Sequence, residues 1–317
     1  MKAYLGIDVG SVSINVVVFS EYGEVITAIY LRTMGRPIQV IQEGLKEAAR
    51  TLPPGIEIAG AGTTGSGRYL AGVMVGADVV KNEITAHAVA ASMMVPGVQT
   101  VLEIGGQDSK IIIIRNGIVV DFAMNTVCAA GTGSFLDQQA ARLNIPITRF
   151  GELALQYKTP VRIAGRCTVF AESDMIHKQQ MGHQIPDIIN GLCEALVRNY
   201  LNNVGKGKEI LPPVVFQGGV AANAGIRAAF ERFLKMPVQI PAHFNVMGAI
   251  GAAQLAREEV ARTGKTAFKG FGITGLPYKT GSFECNGCSN VCEVVEIYEE
   301  DRVIGRWGSR CNKWDTA

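Results

Sequence analysis

In the first part of the chain, stretches of hydrophobic residues typical of strands are followed by stretches with helical spacing. β-branched runs separated by glycine turns predict an antiparallel meander over residues 4–9, 13–20 and 25–31. Apolar positions at helical spacing then predict a helix over 37–52, which a Pro-Pro pair ends. A short strand, IEIAGAG, and a second helical pattern, KNEITAHAVAASMMV, follow. This order of elements is typical of an α/β fold.

The same order begins again near residue 98. The stretch TVLEIGGQDSKIIIIRNGIVVDFAMN has a strand, a glycine loop, a strand, a glycine turn and a strand, and setting Gly10 against Gly105 gives an offset of 95 residues. Helical segments, a buried strand in PPVVFQGGV, a strand in VQIP and a helix over 247–262 complete the pattern. A duplicated unit with glycine loops suits two facing lobes that hold one polyphosphate with backbone N–H groups.

Composition narrows the classes of function. With 317 residues, 48% hydrophobic and 18% charged, the chain is not disordered and is long enough for one large domain or two of ordinary size. The net charge is +2 and the cations are not clustered, so the charge pattern does not indicate binding to nucleic acid. The longest charge-free stretches contain Pro together with His, Gln or Asn, so we expect no membrane span, and without a signal-peptide pattern we expect a cytoplasmic protein.

The first glycine loop carries candidate nucleotide chemistry. Asp8 ends the first strand, where a carboxylate can hold Mg²⁺ or its water shell. The candidate donors to phosphate in the following loop are Gly10, Ser11 and Ser13. A capping aspartate in a hairpin turn is the alternative interpretation of Asp8, and the repeat near residue 105 argues against it.

The second glycine loop covers residues 104–109. Gly105 and Gly106 admit close backbone approach, and the candidates to orient water or bind Mg²⁺ are Gln107 and Asp108. A further pair of glycines ends a buried strand and starts a helix, which suits packing of adenine or ribose against bare backbone. This pair is Gly218 and Gly219.

Two cysteines precede helical patterns in the second half. Cys128 lies just before the helix that begins near Gly133, and Cys167 stands directly before a helical run. The free N–H groups of a helix N-terminus stabilise thiolates and anionic clusters. Two ordinary buried cysteines are the alternative, and core packing is the better interpretation for Cys193.

Several motifs carry a family resemblance. IDVGS at 7–11, IGGQDS at 104–109 and FQGGVAANAGI at 216–226 resemble the superfamily of actin, sugar-kinase and heat-shock-70 ATPases. Within it, EIGGQDSK, NTVCAAGTGSF and IAGRCTVFAESD are similar to the activators of 2-hydroxyacyl-CoA dehydratases, a family that includes benzoyl-CoA reductase ATPase subunits and the reductase of double-cubane cluster proteins. Many kinases of this superfamily carry Asp-x-Gly-Gly-Thr where this chain has Glu103, so we expect Asp108 to be the carboxylate nearest the phosphates.

The resemblance, which covers about residues 1–262, implies a homodimeric, oxygen-sensitive ATPase. Such a protein accepts an electron from ferredoxin or flavodoxin and uses ATP to pass it to a cluster-bearing dehydratase, aryl-CoA reductase or double-cubane protein. The implied cofactors are ATP or ADP, Mg²⁺ and one [4Fe–4S] cluster per dimer. Cys128 and Cys167 would supply two thiolates from each chain, which completes the usual set of four.

The C-terminal tail carries a separate cysteine pattern. Beyond Lys265 the composition shifts to Gly, Pro, aromatic and Cys residues. The spacing Cys285-x2-Cys288-x3-Cys292, then eighteen residues and Cys311, predicts one metal site that is independent of the ATPase core. Both a second iron–sulfur cluster and a structural Zn²⁺ accept an all-sulfur ligand set, so the metal stays open.

Together these patterns predict a two-lobed, actin-like α/β ATPase with a short Cys-rich tail. The expected segments are lobe I over 1–97, lobe II with the cluster-bearing helices over 98–270, and the tail over 271–317, with the helix near 247–262 able to return to lobe I. Two alternatives stay open. A small-molecule kinase such as a sugar kinase shares the fold and needs a catalytic base, and a non-catalytic nucleotide-dependent scaffold would lack ATPase activity.

Overall fold

The computed structural model describes residues 1–125 and 127–316, which divide into two compact units. The first unit holds residues 1–90 and those from 248 onward, and the second holds 91–247. These bounds differ from the expected ones. Residues 91–97, which we assigned to lobe I, belong to the second unit, and the tail belongs to the first. The helix near 247–262 also belongs to the first unit, in line with its expected return to lobe I.

Strands and helices cover most of the described chain. The strands are β1 (Lys2–Val9), β2 (Ser13–Ser20), β3 (Val25–Arg32), β4 (Glu57–Thr64), β5 (Val79–Val80), β6 (Thr100–Ile104), β7 (Ser109–Arg115), β8 (Ile118–Asn125), β9 (Val214–Gln217), β10 (Val238–Gln239), β11 (Tyr278–Glu284), β12 (Glu293–Glu299) and β13 (Arg302–Trp307). The helices are α1 (Pro37–Thr51), α2 (Arg68–Val75), α3 (Glu83–Met94), α4 (Gly133–Arg142), α5 (Ile147–Ala154), α6 (Thr168–Gln180), α7 (Ile185–Asn203), α8 (Ala224–Leu234) and α9 (Met247–Thr263). None of the helices in the described ranges is long and apolar enough to cross a membrane.

Two five-stranded sheets repeat one topology. The first has the order β3-β2-β1-β4-β5, and the second, read from its far edge, has the order β8-β7-β6-β9-β10. In each, the first three strands are antiparallel, and the fourth pairs in parallel with the first. The duplication predicted from the glycine loops is therefore confirmed, together with the two-lobed α/β fold.

Each unit has its own hydrophobic core. Helix α1 buries Val40, Ile41 and Leu45, the face that its helical period predicts, and it packs on β2 and β3. In the second unit α7 is buried along most of its length, and the ring of Phe230 makes edge contacts with Tyr200 and Phe216 at 5.3 and 5.1 Å between centroids. These cores fix the strand ends that carry the candidate site.

Helix α9 lies directly on the backbone of two strands in the first unit. A Cβ atom at Gly6 of β1 would be 1.8 Å from the carbonyl oxygen of Ala249, and one at Gly62 of β4 would be 2.1 Å from that of Ala252. These separations exclude any side chain. The helix and the sheet therefore meet backbone to backbone.

The tail forms a third sheet in the order β11-β12-β13, with antiparallel pairing. Tyr278 and Ile297 belong to the core of the first unit, and the ring of Trp307 stacks on that of Tyr69 at 6.5 Å between centroids. Burial of these apolar groups joins the tail to α1 and α2. It does not stand as a separate segment.

Candidate functional site

Asp8 lies near the end of β1, between two backbone segments of the first unit. A Cβ atom at Gly248 would be 2.1 Å from Asp8 Oδ2, and one at Gly65 would be 2.5 Å from Asp8 Oδ1. The two glycines therefore form a slot that only the carboxylate fills. This fixes the position of the candidate Mg²⁺ ligand, because a side chain at either glycine would displace it.

The loop after β1 is a tight turn. The N–H of Gly10 donates to the carbonyl of Ser13 at 2.9 Å, and the Thr33 hydroxyl donates to the carbonyl of Gly10 at 3.2 Å. The amide of Gly10, which we expected to face phosphate, is thus used inside the turn. Ser11 is exposed and Ser13 is half-buried, so their hydroxyls are the better candidates for phosphate donors.

The second glycine loop leaves the end of β6. The N–H of Gly105 donates to the carbonyl of Asp108 at 3.0 Å, which closes the turn. Strand β9 pairs in parallel with β6, so Gly218 follows at the same edge of the sheet. Gly218 has φ +87°, and a Cβ there would be 2.4 Å from the carbonyl oxygen of Ile104, so only glycine fits. The structure thus brings the two glycine pairs of this unit together.

A buried lysine joins the two carboxylates of this loop. Lys110 Nζ donates to Glu103 Oε2 at 3.1 Å and to Asp108 Oδ2 at 2.8 Å. The side chains of Lys110 and Glu103 are 2% and 5% exposed, whereas that of Asp108 is 33% exposed. Burial raises the pKa of Glu103 to about 7, although the attraction of Lys110 opposes this. The accessible carboxylate is Asp108, which supports its expected role beside the phosphates.

The two candidate cluster cysteines approach each other in the second unit. Cys128 precedes a short 3-10 turn that leads into α4, and Cys167 directly precedes α6. Cys128 Sγ lies 3.9 Å from the carbonyl oxygen of Arg166, the residue before Cys167. Both thiols are half-buried and free of disulfides. Thr126 of the NTVCAAGTGSF motif lies outside the described residues.

Two asparagines hold the Cys128 segment, and sequence reasoning missed their role. Asn199 Nδ2 donates to Cys128 Sγ at 3.7 Å and to the carbonyl of Gly165 at 2.7 Å. Asn125 accepts from the N–H of Cys128 at 2.9 Å and donates to its carbonyl at 2.8 Å. N–H donors at sulfur stabilise thiolates, so this surrounding fits thiolate ligands of an iron–sulfur cluster. The available signal was the polar Asn199 among the mostly apolar buried positions of α7.

The second glycine loop is hydrogen-bonded to the segment that follows Cys128. At the start of α4, the N–H of Gly133 donates to the carbonyl of Gly105 at 2.9 Å. The N–H and the hydroxyl of Ser134 donate to the carbonyl of Gly106 at 2.8 and 2.6 Å. A displacement of this glycine loop therefore displaces the N-terminus of α4, five residues after Cys128.

Exposed apolar side chains surround the two cysteines. Val127, next to Cys128, is 95% exposed, and Val169 and Phe170 in the first turn of α6 are 66% and 65% exposed. Contiguous exposed apolar groups are typical of protein interaction sites. By contrast, Cys193 is fully buried, and burial raises the pKa of its thiol to about 12, which confirms the core interpretation.

The tail cysteines do not form the four-sulfur group that their spacing predicts. Cys285 and Cys292 face each other at the end of the β11–β12 hairpin, where the N–H of Cys285 donates to the carbonyl of Cys292 at 2.8 Å. Cys285 Sγ accepts the indole N–H of Trp314 at 3.2 Å, which lowers the pKa of this thiol, while Cys288 and Cys311 are exposed. Within residues 1–125 and 127–316, no three His, Cys, Asp or Glu side chains could hold a metal ion.

The repeated sheet topology, with an acidic glycine loop at the end of the first strand of each copy, defines an ATPase of the actin-like fold. More narrowly, the chain belongs to the BadF/BadG/BcrA/BcrD ATPase family, whose model matches residues 5–256. The family resemblance seen in the motifs is thereby confirmed. The matched region ends before the three strands of the tail.

Known proteins similar to this chain include activators of acyl-CoA dehydratases. The (R)-2-hydroxyglutaryl-CoA dehydratase activating ATPase of Acidaminococcus fermentans is 36% identical over 266 residues, which are 81% of this chain and 98% of that protein. The crystal structure of component A of that dehydratase has a TM-score of 0.74 and 34% identity, covering 82% of this chain and 100% of that chain. The activator of the 2-hydroxyisocaproyl-CoA dehydratase from Clostridium difficile, with bound ADPNP, has a TM-score of 0.72 and 29% identity over 83% and 97% of the two chains.

Proposed function

We propose that this protein is an ATP-dependent activator that delivers single electrons at low potential to an iron–sulfur enzyme acting on acyl-CoA. The acceptor would be a 2-hydroxyacyl-CoA dehydratase, a benzoyl-CoA reductase or a double-cubane cluster protein, and the donor a ferredoxin or flavodoxin. Support comes from membership of the family and from the similar proteins, which are activators of dehydratases.

In this function the glycine loops bind ATP or ADP with Mg²⁺. Asp8 and Asp108 serve as ligands of Mg²⁺ or its water shell, and Gln107 orients the attacking water. Ser11 and Ser13 would donate their hydroxyls to phosphate. Bare backbone would let phosphate, adenine and ribose approach closely at Gly10, Gly105, Gly106, Gly218 and Gly219. Support lies in the fixed position of Asp8, the exposure of Asp108 and the bare backbone at Gly218.

Cys128 and Cys167 from each of two subunits would hold one [4Fe–4S] cluster, which supplies one-electron chemistry when bound. One chain offers two sulfurs here, so a homodimer related by a two-fold axis completes the ligand set. The Asn199 amide holds the Cys128 thiol and the Gly165 carbonyl in one arrangement. Val127, Val169 and Phe170 are apolar groups that a second subunit would cover.

The observation that carries this function is the pair of backbone hydrogen bonds that joins the second glycine loop to α4. Gly133 and Ser134 donate to the two glycines that would approach the nucleotide, and the same segment begins at Cys128. When nucleotide binding moves Gly105 or Gly106, these bonds pull on the N-terminus of α4. The protein's own backbone thereby connects ATP occupancy to the cysteine that would hold the cluster.

The test combines iron and sulfide analysis, a visible spectrum and light scattering on protein purified without oxygen. Cys128→Ala and Cys167→Ala are each expected to lose the iron and weaken the dimer, because a symmetric site would keep two thiolates. Cys193→Ala is the matched control and should retain both, since its thiol lies in the core. Full iron in either of the first two variants would contradict the shared site, and phosphorylation of a sugar by iron-free protein would support the kinase alternative.

A further inference from the structure

A basic groove lies beside the two cysteines in the second unit. A cavity of about 790 Å³ opens between the segment before Cys167, helix α6 and helix α7, and a second cavity of about 560 Å³ adjoins it around Gly165 and Arg166. The cationic side chains that line them are Arg162, Arg166, Lys178, Arg198 and Lys206, with His177 at the same wall. Cys128 Sγ is 3.9 Å from the Arg166 carbonyl, so the groove reaches the thiols.

The cations of this groove are largely uncompensated. Asp174 is the acidic residue in its lining, and its carboxylate already accepts the N–H of Ala164 at 2.8 Å. Arg198 has an ion-pair partner, Glu194, at 3.6 Å. For Arg162, Arg166 and Lys178, the described part of the chain provides no ion-pair partner.

Like charges also crowd one another here. Burial lowers the pKa of the Arg198 guanidinium, and the nearby positive charge of Arg162 lowers it further, while Glu194 opposes both. Other acids on the adjacent helices are already paired, since Glu172 binds Arg142 at 2.8 Å. The groove therefore presents a positive field that its own surroundings do not neutralise.

This charge limits what can occupy the groove. The two cysteines would lie at the two-fold contact, but a second copy laid over the groove itself would bring like charges together, which costs binding energy, so we place the groove at the rim of that contact. An acidic protein surface would be attracted, and attraction between charged rims speeds encounter more than it strengthens the final complex. Such transient contact suits a carrier that must leave after each electron.

On the basis of the proposed function, we infer that this groove binds the acidic surface of the one-electron carrier protein that reduces this protein. In that step the reduced carrier would lose one electron to the cluster that Cys128 and Cys167 would hold, and no bond would be made or broken. Arg162 and Lys178 attract the carrier, while Arg166 lies at the point where groove and thiols meet. Of the exposed apolar side chains near the cysteines, Phe170 also lines the groove, whereas Val127 and Val169 are left for other contacts.

The test measures binding of an acidic bacterial ferredoxin to iron-loaded dimer without oxygen, at about 20 mM and about 200 mM salt. The double variant Arg162→Glu with Lys178→Glu avoids the cysteines and the nucleotide loops. It should raise the Kd at least about tenfold at low salt and lose most of the salt dependence. The matched control, Arg149→Glu with Lys235→Glu, reverses two exposed charges on the same unit outside the groove and should leave the Kd unchanged.

A second readout separates the groove from the cluster. The rate of reduction by ferredoxin should fall in the groove variant, while reduction by dithionite and the iron content stay as in the wild type. An unchanged Kd would overturn the inference, as would equal weakening in the control pair. Impaired activation of the acceptor by dithionite-reduced protein with normal ferredoxin binding, or tighter binding of a single-stranded oligonucleotide at the same residues, would also overturn it. Iron-free wild-type protein would instead refute the proposed function.

Discussion

Glu103→Gln should remove a pH-dependent loss of stability in the second unit. In the wild type, burial raises the pKa of Glu103 from 4.5 to about 7. The unfolded chain releases this proton near pH 4.5 and the folded chain near pH 7, so stability is lost as pH rises through this window. At about 1.4 kcal/mol per pH unit between the two values, the loss is on the order of 3 kcal/mol above pH 7.

Glutamine keeps the shape of the side chain and removes the ionisation. Lys110 can still donate to the amide oxygen of residue 103 and to Asp108, so the packing around the lysine is retained. When the pH is raised from 5 to 8, the free energy of unfolding of the variant should therefore increase relative to that of the wild type by about 3 kcal/mol. Exposed Glu209→Gln is the control and should give a difference that hardly changes with pH.

The assay is urea denaturation without nucleotide or Mg²⁺, followed by circular dichroism at both pH values. Both tryptophans, Trp307 and Trp314, lie in the first unit, so fluorescence reports on that unit alone. If the two units unfold in separate transitions, the pH-dependent difference between variant and wild type should appear in circular dichroism. The transition followed by tryptophan fluorescence should stay unchanged. If the variant differs from the wild type by the same amount at pH 5 and pH 8, Glu103 is ionised at both, and the burial argument is wrong.

Other consequences can be tested in the same preparations. Asp8→Asn and Asp108→Asn should each lower ATP hydrolysis about 100-fold or more, with unchanged iron content, because metal and water positioning supply most of this catalysis. Gly248→Ala places a Cβ 2.1 Å from Asp8 Oδ2 and should lower the ATPase rate at least about tenfold, whereas Gly272→Ala meets open space and should leave it unchanged. Trp307→Ala should destabilise the first unit by about 2 kcal/mol in thermal unfolding, since the half-buried ring stacks on Tyr69; an unchanged melting temperature would mean that the tail packing contributes nothing.

The duplicated sheets could be predicted because their strands are β-branched runs bounded by glycine turns. The same pattern located β1 to β3 and β6 to β8 within a few residues. Short elements were missed: α2 contains eight residues and two glycines lie close to its ends, so its local signal is weak. The tail strands were missed because their pattern is irregular: the buried residues of β12, Val294 and Ile297, are three positions apart and do not alternate with the period of two that indicates a strand.

The candidate site was only partly visible in the sequence. Asp108 and the cysteines lie in motifs, so their residue types pointed to chemistry directly. Asn199 contacts Cys128, which is 71 residues away along the chain, and no local spacing indicates such a contact. Lys110 binds carboxylates seven and two residues away, but its burial depends on the packing of the whole unit. In the tail, the four thiols have metal-like spacing, but the spacing does not indicate that Cys285 Sγ accepts the indole N–H of Trp314.

The contact of α9 with β1 and β4 bears on how movement travels through the first unit. Side chains yield to small displacements by changing rotamer, so a layer of them acts as a cushion. At Gly6 and Gly62 there is no such layer, and at Gly248, in the first turn of α9, the helix backbone contacts the Asp8 carboxylate itself. The helix therefore contacts both strands without side chains between them, so we expect a shift along the helix axis to move the Asp8 carboxylate directly. The three glycines are the positions that make this direct contact possible.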